Sequence, residues 1–153
     1  MQIQREQLNF ILQSALLDEL ENLTQKIQEH FTLEILQNPT QQTLMLPVKD
    51  PISGGEFYAG EVLVTTSLVA LQDKDSVNTK AQGFAMVLDD NPKHSLYIAI
   101  IDAYYGLSLE SNLQDSITQE IQALVVKTQE KIKQTQILKN HEVDKTRVNF
   151  ELM

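Results

Sequence analysis

Cysteine is absent from the 153 residues. That single absence removes disulfides, thiolate zinc sites, iron–sulfur ligation and cysteine nucleophiles together, and it suits the cytoplasmic location expected for the chain. Long apolar runs are missing too. Nothing approaches the ~20 residues of a membrane span, and the start, Met1 to Phe10, has no apolar stretch ending in a small-residue cleavage site. A soluble, unprocessed protein with no membrane partner is expected. Cations are in short supply, with 12 Lys and Arg against 21 Asp and Glu, for a net charge of -9. Such a field repels nucleic acid, anionic lipid and polyphosphate, so no nucleic-acid partner is expected. Acidity of this kind serves solubility, and acidic patches also meet basic partner surfaces.

Catalytic constellations are lacking as well. The three histidines, His30, His94 and His141, have no mutual metal-ligand spacing. His141-Glu142 opens like a zinc-protease helix, but Lys145 stands where the second histidine is required. Gly54-Gly55-Glu56 has the composition of a phosphate loop, yet a glutamate and a strand follow where a helix N-terminus is needed, so it reads as a turn. Glu56 and Glu61, five apart on a strand, are expected on opposite faces and so form no acid–base dyad. His94, near a helix start, reads as a surface or capping residue. Asp102 stands alone in an apolar helix, which points to an internal hydrogen bond, a basic neighbour or an interface role. The Asn22-Leu23-Thr24 sequon carries no meaning without secretion. No catalytic, cofactor-binding or metal residue is assigned to this chain.

What is present reads as one α+β domain, spanning residues 1–153 and long enough to bury roughly 70% of its unfolded surface. Leu8, Ile11, Leu12 and Ala15 form one helical stripe and Leu16, Leu20, Leu23 and Ile27 a second. With Ser14 as the second helix's N-cap, this predicts a helical hairpin over Gln2–Gln13 and Ala15–His30. A four-stranded antiparallel sheet is predicted over about 31–38, 43–48, 56–71 and 80–88, with Asn38-Pro39 breaking the first strand from the second. The third is apolar on both faces. The fourth sets Ala81, Gly83, Ala85 and Val87 on one small-residue face, fit for close approach of a helix. Asn91-Pro92 starts a buried helix over about 92–105, with Gly106 as its stop. A long amphipathic helix over about 113–144 begins near Asn112 or Asp115 and is long enough to project. The tail alternates Val148, Phe150 and Leu152 with polar residues, as a docked segment does.

Three blocks then carry a resemblance. They are Gly55-Glu56-Phe57-Tyr58-Ala59-Gly60-Glu61, Ala99-Ile100-Ile101-Asp102-Ala103, and Thr146-Arg147-Val148-Asn149-Phe150. In that order and spacing they resemble the G subunit of the bacterial carbon–phosphorus lyase system for phosphonate use, departing at Asn149, where that family usually has an acidic residue. The resemblance implies a subunit acting with the H, I, J and L subunits. The implied reaction joins an organophosphonate to the ribose of ATP, displacing adenine to give ribose 1-phosphonate 5-triphosphate, with the I subunit as catalyst and ATP a substrate of the complex. Gly55, Glu56, Phe57, Gly60, Glu61, Asp102, Thr146, Arg147 and Phe150 become the candidate motif or interface residues. Two other readings stand beside it: an independent ligand-binding domain or enzyme with a site near Glu61, His94 and Arg147, and a homodimer of the isolated chain.

Overall fold

The structure, a computed structural model, describes residues 3–111 and 115–147. The chain runs α1 (Arg5–Leu12), α2 (Leu17–His30), β1 (Phe31–Lys49), β2 (Glu56–Asp73), β3 (Lys80–Leu88), α3 (Pro92–Glu110) and α4 (Ser116–Thr146). The strands make one antiparallel sheet in the order β1-β2-β3. The expected α+β arrangement is present, but the four expected strands are three. Residues 31–38 and 43–48 belong to one continuous strand, β1. Asn38-Pro39 does not break it, because β1 is the outer strand and proline is tolerated at an edge. Register shifts between Ile35 and Gln37 and between Gln37 and Thr40 absorb the extra residues as bulges. Pro47 sits at a third shift.

The helical hairpin forms with shorter members than expected. Ser14 caps nothing: α2 begins after Leu16, which makes no side-chain cap bond. The N–H groups of Ser14 and Ala15 bond back to Ile11 and Leu12 instead, so the link is a tight turn. The expected start at Gln2 lies outside the described residues.

Apolar residues surround α3, and it lies between the sheet and the other helices. Ile98, Ile100, Ile101 and Tyr105 are fully buried. It meets the small-residue face of β3 as the sequence predicts. A Cβ on Gly83 would lie 2.0 Å from the Ala99 carbonyl oxygen and 2.7 Å from the Ala103 Cβ. The helix does not stop at Gly106. Leu107 and Leu109 continue the apolar run to Glu110, and among the described residues only Gly54 is a glycine with positive φ. Gly106 instead makes room for Arg5, whose Nη1 would sit 2.6 Å from an added Cβ.

Asp115 starts α4. Its carboxylate accepts from the Thr118 N–H at 2.8 Å and from the Tyr104 hydroxyl. Burial raises the Asp115 pKa, but these donors outweigh it and hold the carboxyl below its ordinary 3.8. Burial and then Asp115 push the Tyr104 hydroxyl well above its ordinary range. A depressed carboxyl stabilises the fold above its unfolded pKa and loses that contribution as pH falls through the folded one. Asp115→Asn keeps a cap but removes this acid-side dependence. Urea unfolding of the variant at pH 7 and pH 3 is therefore expected to show a smaller stability difference than the native chain, and an equal difference would exclude Asp115 as a source of acid lability.

Ile117, Ile121, Leu124, Val125 and Thr128 bury the first half of α4, and every residue from Lys133 to Thr146 is exposed. About 20 Å of helix therefore projects from the domain. Asn112, Leu113 and the tail alternation of Val148, Phe150 and Leu152 lie outside the described residues. No described helix is long and apolar enough to cross a membrane.

Candidate functional site

β1 and β2 are far longer than β3. With 19 and 18 residues they run about 60 Å, while β3 pairs only with Val64 to Gln72. The remainder, Thr43–Lys49 against Glu56–Leu63, is a two-stranded arm about 25 Å long, and with its tip it holds the Gly55 to Glu61 block.

The turn at its tip is built around Asp50. The Asp50 carboxylate accepts from the Ser53 hydroxyl at 2.6 Å and the Ile52 N–H at 2.9 Å, which together lower its pKa. Gly54 donates its N–H to the Asp50 carbonyl at 2.9 Å and supplies the left-handed residue, φ 70°, that turns the following chain back into β2. Gly55 closes the loop by accepting from the Asp50 N–H at 2.8 Å. The glycines thus form a turn folded onto a carboxylate, the reverse of a phosphate cradle.

Along the arm Gly60 stands opposite Leu46 and Tyr58 opposite Pro47, so Ala59 is an extra residue. Partners across a ladder share a face, and Leu46 and Pro47 are neighbours on opposite faces. The bulge therefore flips the alternation of β2. Glu56, Tyr58 and Glu61 lie on one face with Lys49 and Met45; Phe57 and Val62 lie on the other with Val48, Leu46 and Leu44. The expected opposite placement of Glu56 and Glu61 is corrected. They remain too far apart for a proton-sharing dyad, since four rungs span roughly 13 Å. Large apolar side chains are exposed on both faces, Tyr58 at 68%, Phe57 at 53% and Met45 at 53%.

Asp102 belongs to a different arrangement. Its carboxylate takes a bidentate bond from Arg5, 2.9 Å to each oxygen, and a third from the Phe84 N–H at 3.1 Å. The Arg5 Nη2 also donates to the Gln82 carbonyl at 2.7 Å. The bond to Asp102, against the cost of burial, raises the Arg5 pKa. Asn9 donates to the Met86 carbonyl at 2.6 Å and accepts from the Met86 N–H at 3.0 Å, and Gln13 accepts from the Leu88 N–H at 3.4 Å. Arg5, Asn9 and Gln13 recur every four residues, so one stripe of α1, continued by its C-cap Gln13, faces β3. With Asp102, side chains here satisfy a strand edge that another strand would otherwise pair. Sequence reasoning missed this stripe. Its signal was a polar residue every fourth position beside the apolar Leu8 and Leu12.

The His94 Nε2 donates to the Ala15 carbonyl at 3.2 Å, tying the α1–α2 turn to the start of α3. It lines a cavity of about 440 Å³ with Gln13, Ser14, Leu88, Asp89 and Asn91. Glu61 lies on the arm, Thr146 ends α4 and Arg147 follows it. Among the described residues no hydrogen bond or ion pair joins Glu61, His94 and Arg147, and no three His, Asp or Glu side chains cluster as metal ligands. Phe150 lies outside the described residues.

A family model described as "Phosphonate metabolism protein PhnG" matches residues 3–153. No curated protein matches the chain. The match covers nearly its whole length, including the arm, the Asp102 helix and α4, and the chain belongs to the PhnG family of phosphonate metabolism proteins.

Proposed function

We propose that this chain is a non-catalytic assembly subunit of the complex that transfers an organophosphonate onto the ribose of ATP with loss of adenine, yielding ribose 1-phosphonate 5-triphosphate. Membership of the family gives the setting, phosphonate metabolism. The arm carries the rest. An isolated two-stranded ribbon is marginal in water, and this one exposes large apolar side chains on both faces, so burying it against another protein is its stabilising step. The exposed half of α4, with Ile137, Leu138 and Val143 in solvent, adds a second projecting surface. In this reading the I subunit is the first partner, with H, J and L completing the assembly. ATP is handled by the complex and not by this chain, whose charge of -9 opposes a triphosphate.

Co-expression with the I subunit tests the reading. The two proteins are expected to co-elute on gel filtration over a range of salt, with the isolated chain read alongside by light scattering. Separate elution of the two at every salt concentration would overturn the assignment.

A further inference from the structure

Three sheet edges bear on strand addition among the described residues, and two are closed. Arg5, Asn9, Gln13 and Asp102 occupy the backbone groups of β3. The outer edge of β1 carries Pro39, Pro47 and two bulges, devices that prevent pairing. The third edge is the side of β2 over Glu56–Leu63, which β3 does not reach. The last β3 rung sets Leu88 against Val64, and the Asp89 N–H then donates to the Leu63 carbonyl at 2.8 Å. That bond fixes the direction of the backbone. Leu63 turns its N–H and carbonyl to the open side, so by alternation Glu61 does too and, beyond the extra residue Ala59, so do Tyr58 and Glu56.

We propose that this edge receives an added strand from another subunit of the phosphonate complex, in line with β3. The inference rests on the assembly reading above and deepens it. The exposed side chains define the occupant. Next to Phe57 and Val62 it presents apolar residues, and on the other face it presents Lys or Arg to Glu56 and Glu61, which share that face with one cation, Lys49. A second copy of this chain fits badly. Antiparallel pairing centred on Tyr58-Ala59 sets Glu56 against Glu61 in both directions, and like charges opposed across a ladder repel. The same glutamates therefore discourage self-pairing while selecting a basic strand.

Glu61 and Met45 stand directly opposite each other, and both point their N–H groups away from the β1–β2 ladder. Glu61→Pro and Met45→Pro thus each remove one outward donor and no rung between the two strands. In binding to the I subunit, Glu61→Pro is expected to lose roughly tenfold or more in affinity, while Met45→Pro binds as the native chain does. Amide hydrogen exchange on the native complex, independent of any variant, is expected to slow across 56–63. Unchanged affinity of Glu61→Pro, or equal losses in both variants, overturns strand addition while leaving the assembly role standing. Unchanged exchange across 56–63 in a formed complex does the same. An isolated-chain dimer abolished by Glu61→Pro overturns the assigned occupant in favour of a second copy. Failure of the native chain to bind the I, H, J and L subunits removes the proposed function and this inference with it.

Discussion

Gly83→Ala is expected to lower the thermal midpoint by roughly 2–12 °C, the effect of an overpacking cost of about 1–3 kcal/mol in a domain of this size. The Cβ has nowhere to go. It would lie 2.0 Å from the Ala99 carbonyl oxygen and 2.4 Å from the Ala103 nitrogen, both main-chain atoms of α3 and not the far end of a flexible side chain. Relief requires α3 to lift from β3, which loosens Ala85 and Val87 on the same face and the Ser67–Ser95 hydroxyl contact of 2.7 Å beside them. Gly83→Val adds two methyl groups at that point and is expected to leave little soluble folded protein. Gly60→Ala is the control. Nothing lies within 4 Å of its added Cβ, so its midpoint is expected to stay near that of the native chain. Differential scanning fluorimetry of the three variants reads the comparison directly. A Gly83→Ala protein as stable as the native one would mean that α3 does not sit this close to the sheet.

This contact was legible in the sequence, and the reason shows what was not. Ala81, Gly83, Ala85 and Val87 alternate with larger residues, so period and size together announced a face built for close approach. The buried helix was legible because it is apolar all round, and the projecting helix because its expected length exceeds that of an average globular helix. Asn38-Pro39 misled because proline signals a strand end only where its missing N–H is needed, and local sequence does not say that β1 lies at an edge. The end at Gly106 misled for a related reason: a glycine required by a tertiary neighbour, here Arg5, looks like a glycine required by backbone geometry. The arm was the least legible feature. Its residues read as ordinary strands, and only the shortness of β3 leaves them without a third strand and without a core. The faces of Glu56 and Glu61 depended on one inserted residue, Ala59, which no period-two reading detects.

Asp102→Ala is expected to cost about 2–4 kcal/mol, since it removes a charged acceptor of three hydrogen bonds from the edge of β3. The Phe84 N–H loses its partner, and Arg5, packed against Gly106, is left without its carboxylate. The cost stays below that of a fully buried pair because the Arg5 side chain keeps 40% of its exposure, so water takes over part of the lost interaction. Asp102→Asn is expected to cost less, because its side-chain oxygen can still accept from Phe84. In a double-mutant cycle, Arg5→Ala combined with Asp102→Ala is expected to be less destabilised than the sum of the single changes, the mark of a direct pair. Urea unfolding measures all five proteins, the native chain included. The same set separates the two roles that an acidic residue in an apolar helix can have. If Asp102 serves the fold alone, Asp102→Asn that remains folded is expected to match the native chain in the proposed binding to the I subunit, because the residue acts on β3 and not on the open edge of β2. A folded Asp102→Asn that fails to bind where the native chain binds would instead place a partner contact at the Arg5–Asp102 pair and move the proposed docking surface from the arm towards α1.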